Sequence, residues 1–275
     1  MARISNGPWS FHRMFHAGEL DIFGFPALNA SLGLREIELA DDCIQSDEAS
    51  LARLEEAVKA AGCTVSQFTL NLTGHTGLYA ETEEARQAHL AEAYAWTHLA
   101  RRFGAPLVRV DLGGRKADLE EGTRQVIRSF QELVPKCAEL GITVTIENHG
   151  GLSGSADNIV HIIEEVGSNS LRACPDFANF DEPERYEGLR RLAPYAAQVH
   201  AKTLCLDEQG NETRFDFPRC VRILQEAGFS GAWSIEFDGE YGECPLDEIS
   251  GVKASKALLE RLLKAFPCSE GADPC

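Results

Sequence analysis

The run ITVTIENHGG, Ile142 to Gly151, decides how the rest of the chain reads. Its first five residues, Ile142 to Ile146, are all β-branched and form the most strand-prone stretch of the sequence. The apolar character stops at Glu147, and a polar turn ending in Gly150–Gly151 comes next. In a barrel of parallel strands and outer helices, the active site lies where strands end and open into loops. A carboxylate at the end of such a run is therefore a candidate functional group.

The same unit repeats on both sides. Upstream, strands are expected at Leu34–Ala40, Thr64–Leu72 and Leu107–Leu112. They alternate with helices at Ala49–Ala61, Glu81–Phe103 and Leu119–Leu140. In the first of these helices Leu51, Leu54, Val58 and Ala61 share one face. Pro135 predicts a kink or a break in the third. Downstream, strands are expected at Leu171–Cys174, Ala197–Ala201 and Gly231–Ile235. Their helices are Asp157–Val166, Pro183–Leu192, Phe217–Ala227 and Leu246–Phe266. The first strand is placed near Ser10–Met14, with a helix around Asp21–Leu32.

These make about eight β/α units, each near the ~30 residues a βαβ repeat needs. No linker, charge block or composition break interrupts them. The reading is an α/β protein, one (β/α)8 TIM barrel spanning residues 1–275. A doubly wound sheet would want Gly-x-Gly-x-x-Gly after its first strand, and none is present.

Charge narrows the partners. Lys plus Arg total 26 and Asp plus Glu 43, a formal net charge of −17 over 275 residues. Phosphate backbones and anionic membrane surfaces call for a basic face, so neither nucleic acid nor a membrane is an expected partner. The nine cysteines are scattered without a Cys-x-x-Cys pair and read as reduced thiols. Met1 to Phe15 lacks a signal peptide's apolar run, and no stretch approaches the ~20 apolar residues of a membrane span. A cytoplasmic protein is expected.

Four consecutive strands deliver a metal-competent side chain at the same end: Glu147, Asp176 after Pro175, His200 and Glu236. Their gaps of 29, 24 and 36 residues are each about one β/α unit. Three converging carboxylates would repel one another without a cation. With one imidazole they suit a divalent ion, Mn²⁺ foremost, with Mg²⁺, Co²⁺ and Zn²⁺ as alternatives.

The segments VTIENHGG (Val144–Gly151), CPDFANF (Cys174–Phe180), VHAKT (Val199–Thr203) and SIEFDG (Ser234–Gly239) resemble the xylose isomerase-like barrel family. So do WSFHRMFHAGELDIFGFP (Trp9–Pro26) and GLREIELAD (Gly33–Asp41). That family includes sugar phosphate isomerases and epimerases, ketose 3-epimerases, inosose dehydratases and isomerases, and hydroxypyruvate isomerase. Endonuclease IV is a more distant relative. The resemblance implies that Glu147, Asp176, His200 and Glu236 hold the metal. It also implies that Glu147 and Glu236 form the catalytic pair on opposite faces of a sugar, one removing a proton beside the carbonyl and the other returning one. A homo-oligomer is a further expectation from the family.

Several other residues are candidate substrate contacts. His149 and Lys202 each lie two residues beyond a ligand, on the same side of a continuing strand. Lys202 could equally form a salt bridge with a carboxylate such as Asp176. Arg109 sits in a strand and needs a partner, either substrate or Glu147. His12, Asn71 and His75 occupy apparent strand ends and loops, and Trp9, Phe11 and Phe177 could wall a sugar ring. Three residues after the metal Asp, where ketose 3-epimerases tend to carry a substrate-binding His, this chain has Asn179. Gly113–Gly114–Arg115–Lys116 is the only Gly-rich basic turn, so a neutral carbohydrate is expected rather than a phosphorylated one.

The expected reaction is isomerisation or epimerisation of a sugar, keto sugar or cyclitol through a metal-stabilised enediolate. The alternative is a lyase on the same scaffold. There, a group β to the carbonyl leaves after the same proton loss, as water from an inosose or an aglycone from a 3-keto-glycoside.

Overall fold

The structure, a computed structural model, describes residues 2–72, 76–182, 184–239 and 244–266. The strands are β1 (Arg3–Asn6), β2 (Glu36–Ala40), β3 (Thr64–Leu70), β4 (Leu107–Val110), β5 (Thr143–Glu147), β6 (Leu171–Cys174), β7 (Gln198–Thr203) and β8 (Ala232–Phe237). All pairings are parallel, in the order β6-β5-β4-β3-β2-β1-β8-β7. The two end strands meet through parallel bridges at Ala173/Ala196 and Asp176/His200. At the second bridge the His200 N–H donates to the Pro175 carbonyl at 2.9 Å, and the Phe177 N–H to the His200 carbonyl at 3.1 Å. The sheet is thus a nearly closed barrel, and the seam that closes it carries two of the expected metal ligands.

The helices are α1 (His12–Ala17), α2 (Phe25–Ser31), α3 (Glu48–Ala60), α4 (Glu83–Arg102), α5 (Leu119–Glu139), α6 (Ala156–Val166), α7 (Glu184–Leu192), α8 (Phe217–Glu226) and α9 (Glu248–Ala265). Local chemistry starts many of them. Asp47, Thr82, Asp118, Asp216 and Asp247 each accept the backbone N–H three residues on, satisfying a donor the helix leaves orphaned.

Two expectations need correction. The first strand is Arg3–Asn6, not Ser10–Met14. Arg3–Asn6 pairs with β8 and with β2, whereas Pro8 opens a 3-10 turn over Pro8–Phe11 that runs into α1. The stretch RISN holds a single apolar residue, Ile4, so no apolar run marks it in the sequence; pairing on both sides makes it a strand. Nor does Pro135 split its helix, since α5 is continuous through it. The buried stripe Val126, Phe130, Leu133, Val134 and Cys137 anchors both sides of the missing hydrogen bond.

Strand alternation sets the two layers of the core. Ile37 and Leu39 flank Glu38, Val108 and Val110 flank Arg109, Val144 and Ile146 flank Thr145, and Val199 and Ala201 flank His200. The apolar members pack in the hydrophobic core that the helices cover. The polar members face the barrel interior and bond to one another: Thr145 Oγ1 donates to Gln67 Oε1 at 2.9 Å, and Gln198 Nε2 to Glu38 Oε1 at 2.7 Å. A bulge assists. The β2–β3 register shifts between Ile37 and Glu38, pairing them with Val65 and Gln67 and skipping Ser66. The extra residue turns Gln67 inward.

Candidate metal centre

Alternation carries the interior ladder up to the site. Thr145 and Glu147, Ser234 and Glu236, and Gln198, His200 and Lys202 stand at successive same-face positions of β5, β8 and β7. Asp176 lies just past the end of β6 and is fixed by Asn148: Asn148 Oδ1 accepts the Asp176 N–H at 2.7 Å, and Nδ2 donates to its carbonyl at 3.1 Å. Glu147, Asp176, His200 and Glu236 each offer one ligand atom, and these atoms all lie within 4.8 Å of one another.

The donor set fits a divalent cation. Asp176 Oδ1 accepts the N–H groups of Ala178 and Asn179 at 2.7 and 2.8 Å. Asp176 Oδ2 is buried and, among the described residues, has no hydrogen-bond partner; Lys202 Nζ is 3.9 Å away. A buried carboxylate oxygen left this way is costly unless a cation meets it. The His200 ring is aimed accordingly. Its Nε2 lies 3.3 Å from Glu38 Oε1, while its Nδ1 lies 2.9 Å from Glu147 Oε1 and 3.4 Å from Glu236 Oε2. Glu38 can hold a proton on Nε2 and so leave the Nδ1 lone pair for a metal. Glu38 is absent from the sequence-based set. Its signal is a buried acid between Ile37 and Leu39 in a strand, but only the closed barrel shows that it faces His200.

Two buried cations partner the glutamates. Arg109 donates through Nη2 to Glu147 Oε2 and through Nη1 to Asn71 Oδ1 at 3.0 Å. Lys202 Nζ contacts Glu236 Oε1 at 2.6 Å and Asn179 Oδ1 at 3.0 Å, and Asn179 Nδ2 donates to Glu147 Oε1 at 3.2 Å. Burial penalises the charge of Glu147, but Arg109 and His200 outweigh it and hold the carboxyl well below the usual range. Burial likewise opposes a charged His200, but Cys174, Glu38 and Glu147 outweigh it and raise the ring well above its ordinary value. Asp176 is pushed up to about 7, chiefly by burial and then by Glu236 and Glu147, with Lys202 opposing.

These directions give a pH dependence. A metal held by this cluster would have to displace the protons on Asp176 and on His200 Nδ1, so its binding would release protons. Below about pH 7 the apparent affinity should fall by more than tenfold per pH unit, and above it should go on rising, by about tenfold per unit, until His200, whose ring is held well above its ordinary value, has also lost its proton. Calorimetric titration with Mn²⁺ between pH 5.5 and 8 checks this; an affinity independent of pH contradicts it.

The other expected residues divide. Asn71, Arg109, Asn179 and Lys202 join the network around the four ligands. His149 Nδ1 donates instead to Asp111 Oδ2 at 2.9 Å, on the loop side of Glu147. His12 turns to the Trp9 carbonyl at 2.8 Å and lies 3.5 Å from Glu248. Trp9 stacks on His12 and is exposed, whereas Phe11 and Phe177 are buried in the core. His75 lies outside the described residues.

The model of the xylose isomerase-like TIM barrel matches residues 26–262. The chain belongs to this family. D-psicose 3-epimerase from Clostridium cellulolyticum H10, solved with D-tagatose, superposes with a TM-score of 0.76 at 13% identity, over 97% of this chain and 100% of that one. A xylose isomerase-like TIM barrel protein from Mycobacterium smegmatis, in complex with magnesium, gives 0.71 at 16% identity over 97% and 98%. At such identities the likeness is one of fold. A C-glycoside deglycosidase alpha subunit from Microbacterium trichothecenolyticum is 36% identical over 75 residues, covering 26% of this chain and only 20% of that protein's length. Among the described residues of this family member, no helix is long and apolar enough to cross a membrane.

Proposed function

We propose that this barrel is a divalent-metal-dependent isomerase or epimerase of a sugar, keto sugar or cyclitol, acting by proton transfer beside a carbonyl. One observation carries the reading: two carboxylates, Glu147 and Glu236, share a metal-competent cluster, and each is bound by its own buried cation. A bound divalent ion, Mn²⁺ foremost and Mg²⁺, Co²⁺ or Zn²⁺ otherwise, would supply positive charge to steady negative charge on substrate oxygens. The side chains do the rest. Arg109 keeps Glu147 an anion. Glu236 is the more accessible of the pair, its side chain 14% exposed against 3% for Glu147, and is placed to take a proton from bound sugar. Lys202 and Asn179 link the two carboxylates and can donate to sugar hydroxyls without leaving their partners far. The free thiols at all seven described cysteines suit a reducing, cytoplasmic setting.

The lyase reading has one specific support, the match to a C-glycoside deglycosidase subunit. Both reactions begin with the same proton loss and differ in the fate of the resulting anion, which is either reprotonated or expels a leaving group. Incubating the Mn²⁺-loaded protein with keto sugars in D₂O separates them. Deuterium beside the carbonyl with a changed epimer is expected; an unsaturated product without an epimer favours the lyase, and no exchange with any keto sugar overturns both.

A further inference from the structure

A cavity of about 830 Å³ opens on the Glu147 side of the metal centre, and no step of the proposed proton transfer uses it. Its lining includes Asn71, Tyr79, Asp111, Arg115, Lys116 and His149. Asn71 reaches Glu147 through Arg109, and His149 lies two residues beyond Glu147, so the cavity and the metal centre are neighbours along one wall. The volume falls in the upper part of the ~300–1,000 Å³ range of pockets for drug-sized ligands. A single sugar ring seated at the metal would leave most of it unfilled.

The walls are built rather than left over. The segment after β3 is hydrogen-bonded to the one after β4: the Leu78 N–H to the Asp111 carbonyl at 2.8 Å, and the Tyr79 N–H to the Leu112 carbonyl at 3.0 Å. The Leu152 N–H, after β5, donates to the Gly113 carbonyl at 3.0 Å. Gly113 has φ +66°, and a Cβ there would stand 1.8 Å from the Thr76 carbonyl oxygen, so the loops meet backbone to backbone. Gln125, on α5, clasps both backbone groups of Ala80. Asp111 fixes the His149 ring, and Arg115 donates to the His149 carbonyl at 3.3 Å. The lining mixes donors such as Asn71, Tyr79 and Thr82 with two cations, Arg115 and Lys116, two acids, Glu81 and Asp111, and apolar wall at Ala80, Ala85 and Ala117.

We infer that this cavity is a subsite for a second, hydroxylated ring attached to the sugar, so that the preferred substrate is a glycoside rather than a free monosaccharide. The inference rests on the reading that the metal centre handles a carbohydrate, and deepens it. Donor groups and cations suit hydroxyl or phenolate oxygens, and the preformed walls spare the ligand the cost of ordering the loops. A phenolic aglycone and a second sugar share this chemistry.

Calorimetry on the Mn²⁺-loaded full chain tests it with three probes: 3-keto-glucose, its 4-hydroxyphenyl glucoside, and a 3-keto disaccharide. At least one of the two larger probes should bind tenfold or more tightly than 3-keto-glucose, and which one identifies the second ring. Ala85→Trp, which fills the cavity from α4, should erase that advantage while leaving 3-keto-glucose unchanged. Lys116→Glu, at an exposed position, should reduce it and serves if Ala85→Trp does not fold. Equal affinities for all three probes overturn the inference, as does an advantage untouched by the substitution that folds. Deuterium exchange in D₂O is an independent readout: its absence refutes the proton-transfer reading and leaves the affinity comparison standing.

Discussion

Replacing Glu236 by Gln should lower turnover by about 10³-fold or more and leave the protein folded. Gln keeps the shape and offers Lys202 an acceptor in place of Oε1, but it cannot take a proton and removes one negative charge from the metal-competent cluster. Lys202 also retains Asn179 as a partner. Glu147→Gln should be as severe for turnover yet differ in stability. It leaves the buried Arg109 without its carboxylate, and breaking a buried ion pair costs about 3–5 kcal/mol. The pair of variants thus carries a signature: two dead enzymes, of which one melts well below the other. Isotope exchange in D₂O and thermal unfolding read the two effects. Exchange above a tenth of the native rate in either variant, with metal still bound, removes that glutamate from the catalytic pair.

Metal removal is the second large effect. Chelation should abolish turnover, and Mn²⁺ should restore it and raise the melting temperature, because an ion that binds only the folded chain stabilises it by mass action. Asp176→Asn separates binding from folding. The amide keeps an acceptor for the Ala178 and Asn179 N–H groups but loses the charge at Oδ2, which has no hydrogen-bond partner among the described residues. Metal affinity should fall by about 100-fold or more, since even supporting groups are worth 10–100-fold. The metal-free variant should nevertheless be no less stable than metal-free native protein at neutral pH. The folded carboxyl titrates near 7 against 3.8 when free, so its stabilising contribution is present in acid and is lost as pH rises through about 7. A variant that binds Mn²⁺ normally shows that Asp176 is not a ligand.

Legibility tracked the range of the interactions. The regular alternation of apolar runs and amphipathic helices was readable because local periodicity reports burial directly, and strands as short as LVRV in β4 still carry several apolar residues. β1 was not, since its one apolar residue, Ile4, makes no run, and its place in the sheet is fixed by neighbours more than 200 positions away, at Ala232–Ile235. Pro135 misled for a related reason: propensity names the local cost, while the buried stripe of α5 supplies the compensation.

The sequence by itself picked out Glu147, Asp176, His200 and Glu236 as one set, reading each as the end of an apolar run. Glu147 does end β5 and Asp176 follows β6, whereas β7 runs on past His200 to Thr203 and β8 past Glu236 to Phe237, and the inward face of the strands brings the four together. The sequence offered Arg109 a choice between substrate and Glu147, and Lys202 a choice between substrate and a carboxylate. The structure pairs Arg109 with Glu147 and Lys202 with Glu236. It also put Glu38 behind His200, joined His149 to Asp111 and opened the cavity beside Glu147. These belong to tertiary structure because barrel closure brings strands far apart in sequence within hydrogen-bonding distance. Which charges then neutralise one another depends on that geometry and on exclusion of water, and neither is written in the spacing of the residues.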